Sequence, residues 1–251
     1  MVLLHGLQDC ARSWDVFSRA MSGEYRVISL DSRGHGCSDF PVSSSLGSGY
    51  RFVDYVSDIT TLIDNLGLEK PILVGHSAGG RYAFSYTSLN PQNVRALVVV
   101  DIDPDSVNQS SSGMFDRYMN ESDEWPSLDK VVERIRSRQR ASSETMLNHQ
   151  AEVMTKPVGN EGIRVWRRDR RVIEDYERPD LWKEWASIAV PTVIIRGRQS
   201  DLLTHQTAVQ MREKLSGSLL AELEGGGHWF YQESPGAFES TVRWFLSTLR
   251  N

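Results

Sequence analysis

Short apolar runs rich in β-branched residues alternate with longer amphipathic stretches over the first part of the chain. The runs are VLL at 2–4, RVISL at 26–30, PILVG at 71–75 and VRALVVV at 94–100. None shows clean apolar–polar alternation, which is the pattern of strands buried on both faces of a parallel sheet. Between them, residues 52–66 place Phe52, Val56, Ile59, Ile63 and Leu66 on one helical face, and Gly67 supplies the stop. A further helix is expected over 78–89, ended by Asn90-Pro91. This order predicts an α/β fold with a mostly parallel, doubly wound sheet and right-handed crossovers.

The rhythm stops after Asp103-Pro104. Residues 104–187 contain no strand-like apolar run, only polar helical stretches near 127–139 and 142–154, together with Trp125, Trp166, Trp182 and Trp185. It resumes with VPTVIIRG at 190–197, a helix near 204–215, a strand near 218–223 and a last helix from about 235 to 249. Residues 1–103 and 188–251 are therefore expected to build one core, with 104–187 inserted between its halves. SSSLGSG at 43–49 reads as a surface loop.

The chemistry concentrates where strands end. Gly75-His76-Ser77-Ala78-Gly79 follows an apolar strand and opens a helix. A G-x-S-x-G on such a turn holds its serine in a strained conformation with the hydroxyl above the sheet, and the new helix directs free N–H groups at the same point. Ser77 is thus the expected nucleophile. It needs a base, and His228, after the run Gly225-Gly226-Gly227 beyond the last strand, is placed to be one. The histidine needs an acid to fix its tautomer. Asp201, past the strand VIIRG and far enough before His228 for one helix and one strand, is favoured over Asp103; Asp101 and Asp103 otherwise read as turn residues touching the insertion. Oxyanion donors are expected from the backbone N–H groups of Ala78 and Leu7. His5 and His76 read as structural hydrogen-bonding residues. No His/Cys cluster suggests a metal, and no cofactor is implied.

Composition narrows the function classes. With 39% hydrophobic and 24% charged residues among 251, the chain is expected to be globular rather than disordered. A net charge of −5 argues against a nucleic-acid partner, and the basic stretch from Arg164 to Arg171 is offset by Asp169, Glu174, Asp175 and Glu177. Two isolated cysteines, Cys10 and Cys37, make a reduced cytoplasmic setting the default. No apolar run approaches the ~20 residues of a membrane helix, and the opening MVLLHGLQDC lacks the basic segment of a signal peptide.

LLHG at 3–6, DSRGHGCSD at 31–39, GHSAGG at 75–80, VPTVIIRGRQSD at 190–201 and GGGHW at 225–229 together resemble the α/β-hydrolase superfamily over nearly the whole chain, in its order Ser, Asp, His. The resemblance implies that 104–187 is a lid (cap), with Trp166, Met154 and Trp229 as candidate pocket residues. It assigns Asp31, Arg33, Gly34, Gly36 and Asp39 to structure. Members of the superfamily usually carry a strand pair before LLHG, whereas this sequence begins almost inside that strand, which implies a truncated protein, a different gene start or a fold without its first edge hairpin. The strand at 26–30 would then be an open edge through which copies could self-associate. The implied activity is hydrolysis of a small-molecule carboxylic ester or lactone through an acyl-enzyme. The alternatives are C–C bond hydrolysis, suggested by His228-Trp229 but not by His76, and a slowly turning binding protein. Members that open epoxides use an aspartate where this chain has Ser77.

Overall fold

Neighbouring residues along each central strand face opposite cores, which is why the apolar runs show no alternation. Val2, Leu4, Leu73, Leu97, Val99 and Ile194 belong to one core, and Leu3, Val74, Val98, Val100, Val193 and Ile195 to the other. Both faces of the four central strands are buried, as a parallel sheet requires, while the edge strands at 28–30 and 219–223 are half-buried. The computed structural model describes residues 1–42 and 47–249. Residues 43–46 of the expected surface loop lie outside that set.

Along the chain come β1 (Val2–Leu4), α1 (Asp15–Met21), β2 (Ile28–Leu30), α2 (Phe52–Asn65), β3 (Ile72–His76), α3 (Ala78–Leu89) and β4 (Ala96–Val100). The inserted stretch holds α4 (Gln109–Met119), β5 (Glu124–Trp125), α5 (Leu128–Arg136), α6 (Glu144–Met154), β6 (Thr155–Val158), β7 (Ile163–Trp166), α7 (Arg171–Glu174) and α8 (Trp182–Ala186). The core resumes with β8 (Thr192–Gly197), α9 (His205–Lys214), β9 (Leu219–Leu223), α10 (Phe230–Glu233) and α11 (Pro235–Thr248). The main sheet has the order β2-β1-β3-β4-β8-β9 with every pair parallel. β2, the strand expected at an edge, lies at one edge. Helix α2 buries Phe52, Tyr55, Val56, Ile59 and Ile63, and Gly67 ends it in the left-handed region at φ 56°.

The insertion departs from its sequence reading. It contains a small antiparallel sheet, β5-β7-β6, where no strand was expected. β6 and β7 have four residues each and are mostly half-buried or exposed, so they carry no apolar run. Gly159 and Gly162, both at positive φ, turn the chain between them. Val131, Val132, Ile135, Leu147, Ala151 and Trp166 give this part its own small core. Its far end folds back, because Trp185 of α8 is fully buried in the main core against Phe84.

The turn at 31–39 fastens the insertion to the sheet. Gly36 N–H donates to the Arg167 carbonyl at 2.7 Å and Asp169 N–H to the Gly34 carbonyl at 2.8 Å. Asp31 accepts from Ala11 and Cys37 N–H, and a Cβ at Gly36 would collide with its carboxyl. A buried ion pair, Arg178 to Asp103 at 2.7 Å, ties the chain before α8 to the end of β4. Among the described residues, no helix is long and apolar enough to cross a membrane.

Candidate active site

Four non-glycine residues have positive φ among the described residues, and three of them meet at the carboxyl ends of the sheet strands: Gln8 at 65°, Ser77 at 52° and Asp101 at 51°. L-residues adopt this region at a cost and keep it when surrounding contacts hold them there, a condition that clusters at functional sites. Ser77 sits between β3 and α3, with its N–H bonded to the Val100 carbonyl at 3.0 Å. Close backbone approach makes the turn possible. A Cβ on Gly79 would lie 2.5 Å from the carbonyl oxygens of Leu4 and His5, and one on Gly75 would lie 2.4 Å from the Gly79 carbonyl oxygen.

His228 is buried in the loop after β9. Gly197 lets that loop cross the end of β8, because a Cβ there would lie 2.3 Å from the Gly227 carbonyl oxygen. His76, next to Ser77, donates from Nε2 to the His228 carbonyl at 2.9 Å, and the two rings lie 4.6 Å apart. His5 is likewise structural: Nδ1 donates to the Gly6 carbonyl and Nε2 accepts from Ser32 N–H.

The acid partner corrects the sequence expectation. The Nδ1–H of His228 donates to Oδ2 of Asp101 at 2.8 Å. Asp101 is fully buried, and it also accepts from Ser200 Oγ on Oδ2 and from Gly197 N–H on Oδ1. Asp201 is exposed beside the cavity and makes no hydrogen bond to His228. The reason is sheet order. β4 and β8 are neighbours, so the residue just past β4 reaches under the histidine, while Ser200 pins the loop after β8 and turns Asp201 outward. Asp103, the second choice from sequence, is engaged by Arg178.

Burial pushes the His228 imidazole down to about 3, with the Asp201 charge pulling the other way, so the resting ring is neutral and able to accept a proton. Burial also pushes the Asp101 carboxyl up, opposed by the Ser200 hydroxyl, the Gly197 N–H and the Arg196 charge. Nε2 of His228 and Oγ of Ser77 have no hydrogen-bond partner among the described residues, and His228 faces a cavity of about 790 Å³. The N–H groups of Leu7 and Ala78 have none either, although both residues are buried. Gly6 brings the Leu7 loop against the serine, since a Cβ there would lie 2.9 Å from the Cβ of Ser77.

A buried carboxyl that was not anticipated latches this loop. Asp9 accepts from Cys10 N–H at 2.9 Å, from Ser13 Oγ and from the Tyr231 hydroxyl at 3.0 Å. Tyr231 follows His228 closely in the chain and packs its ring 4.7 Å from that of His76. Burial pushes Asp9 from 3.8 to about 7. A carboxyl raised on folding stabilises the folded state most below its unfolded value, and that contribution is lost as pH rises from about 4 through 7. Asp9→Asn is therefore expected to remove up to about 4 kcal/mol of the fall in stability across this window. Urea unfolding at pH 4 and pH 8 measures it; equal pH dependence in the two proteins would refute the raised value.

The pocket expectations divide. Trp229 lines the cavity over His228, and Met154 lines a small recess beside it with Leu7. Trp166 does neither: it is buried in the core of the insertion with its indole N–H donated to the Ser122 carbonyl, so its role as a pocket wall is corrected to packing. Sequence reasoning missed Arg134 and Arg138, which face the cavity from α5 and the residues just after it. Their spacing of four residues in the stretch expected to be helical near 127–139 was the available signal. Among the described residues, no group of three or more His, Cys, Asp or Glu side chains is arranged to hold a metal ion.

Comparison with known proteins bears on the fold and the kind of activity. The family described as having the α/β-hydrolase fold matches residues 1–235. The chain is similar to the 3-hydroxybutyrate-oligomer hydrolase of Cupriavidus necator, 29% identical over 231 residues that cover 84% of this chain and 76% of that protein. It is also similar to the 2-(acetamidomethylene)succinate hydrolase of Mesorhizobium japonicum, 26% identical over 238 residues covering 94% and 83%. Its fold matches a solved structure of E-2-(acetamidomethylene)succinate hydrolase with a TM-score of 0.89 at 23% identity, over 98% of this chain and 91% of that one. These relatives support hydrolase activity, and the chain belongs to the α/β-hydrolase fold family.

Proposed function

We propose that the protein is a serine hydrolase that cleaves a carboxylic ester or lactone through an acyl-enzyme, with Ser77 as nucleophile, His228 as general base and Asp101 as the acid that orients the histidine. The observation that carries this reading is the strained Ser77 next to His76, which is bonded to a buried His228 whose Nδ1 proton is committed to Asp101. Fixing that proton leaves Nε2 as the basic nitrogen. Ser77 Oγ attacks the carbonyl carbon while Nε2 takes its proton. The negative charge that develops on the carbonyl oxygen is met by the Leu7 and Ala78 N–H groups, which have no other acceptor among the described residues. The imidazolium protonates the departing alcohol oxygen, and water activated by the same nitrogen then frees the acid. A lactone follows the same steps, with the alcohol retained in the product.

Fluorophosphonate labelling tests the reading directly. One adduct per chain is expected, located on Ser77 by mass spectrometry and absent from Ser77→Ala. Absence of labelling in a cooperatively unfolding wild-type protein would refute it.

A further inference from the structure

Four arginines line the cavity over His228: Arg117, Arg134, Arg138 and Arg140. Asp201 is the carboxylate among the lining residues. The four differ in what occupies them. Arg134 forms a two-point pair with Glu121. Arg117 and Arg140 are exposed and have no ion pair among the described residues.

Arg138 is the unusual one. Its side chain is only 14% exposed. Its guanidinium lies over the Tyr118 ring at 4.5 Å. The carboxylate beside it, at 3.7 Å, is the same Glu121 that Arg134 already holds. No acceptor among the described residues takes a hydrogen bond from this guanidinium. None of its nitrogens is among the buried atoms left without a partner, so the unused donors open to the cavities that Arg138 lines. Burial pulls its proton affinity down, and Glu121 offsets this only in part.

Location gives those unused donors a meaning. Arg138 lines both the cavity that His228 lines and the recess that Leu7 lines. We propose that Arg138 is the receptor for a carboxylate carried by the substrate, and that the site takes half-esters and other esters or lactones bearing a free acid group in preference to neutral ones. This rests on Ser77 and His228 being the reacting pair. A planar guanidinium carries its donors in the fork that a carboxylate fills with two hydrogen bonds, and this one lies over the Tyr118 ring. Tyr118 holds that plane, and Arg117 and Arg140 add a positive field at the mouth that favours entry of an anion. A cavity of about 790 Å³ holds a small ester together with its acid group.

Binding separates this proposal from the chemistry. Ser77→Ala protein is titrated by calorimetry with monomethyl glutarate and dimethyl glutarate, and with 4-acetoxybutyrate and its methyl ester, which put the acid on the leaving side. At least one acid is expected to bind about tenfold or more tightly than its neutral ester. Adding Arg138→Gln is expected to reduce that ratio below about threefold, with Arg138→Lys intermediate because it keeps charge but not the fork. Equal binding of acid and neutral ester in both pairs overturns the receptor, and this comparison needs no change at 138. A ratio that survives Arg138→Gln also overturns it. Wild-type turnover of p-nitrophenyl hemiglutarate and p-nitrophenyl valerate distinguishes the two failures. Selective binding without turnover of either would leave the receptor standing and remove the acyl-transfer reading. Turnover of both with equal KM, alongside equal binding, would remove the receptor alone.

Discussion

Asp101→Asn is expected to lower kcat/KM by about 10³–10⁴, and Asp201→Asn by less than about fivefold. Three donors surround the Asp101 carboxylate. Gly197 N–H points at Oδ1; the Ser200 hydroxyl and His228 Nδ1 point at Oδ2. An asparagine must put its amide nitrogen on one side. The backbone N–H of Gly197 can only donate, so it claims the amide oxygen. The hydroxyl and the imidazole can both switch roles, so the –NH2 turns to them and donates to His228 Nδ1. The ring proton is then forced onto Nε2, the nitrogen that receives the proton of Ser77 in the proposed reaction. The fold survives this exchange and the base does not. Asp201 bears on His228 only through its charge from an exposed position, where solvent screens it. Steady-state hydrolysis of p-nitrophenyl butyrate by both variants, with thermal unfolding as the control, gives the ordering. A larger loss in Asp201→Asn would move the acid to the end of β8.

The same pair of aspartates shows what the sequence could and could not reveal. The strands, α2, α3 and the serine turn were legible because each is a local property: a β-branched run, a helical stripe, a glycine where a helix stops. α3 spans the residues expected of it. The choice between Asp101 and Asp201 was not local. Both follow strands, and only the lateral neighbourhood of β4 and β8 decides which carboxylate lies beneath His228. Spacing along the chain to the histidine carried no information about that. The insertion hid its strands for a different reason, since short half-exposed strands lack the apolar run by which buried ones are recognised. Trp166 misled because a large aromatic in an inserted segment is equally suited to a pocket wall and to a small core. Arg138 stayed hidden because a guanidinium becomes informative only once its missing acceptor can be seen.

Gly6→Ala is expected to lower kcat by about 10²-fold or more with little change in KM. The added methyl would sit 2.9 Å from Ser77 Cβ and 3.0 Å from His76 Nδ1, and neither neighbour is free to yield. The Ser77 backbone is held at φ 52° with its N–H on the Val100 carbonyl. His76 is fixed by its bond to the His228 carbonyl and by the Tyr231 ring behind it. The loop at 5–8 must therefore move, and it carries the Leu7 N–H with it. That donor would act on charge that exists only while the carbonyl oxygen is an oxyanion, so its displacement weakens the transition state far more than the bound ester. Overpacking of this kind also costs about 1–3 kcal/mol of stability, which thermal unfolding reads separately from kcat. Gly23→Ala is the control, because nothing lies within 4 Å of its added methyl. Slow fluorophosphonate labelling of Gly6→Ala at an unchanged circular-dichroism spectrum is the expected signature. A kcat within threefold of wild type would mean that Leu7 is not the donor, and the oxyanion would then have to be met by Ala78 together with another group of the same loop.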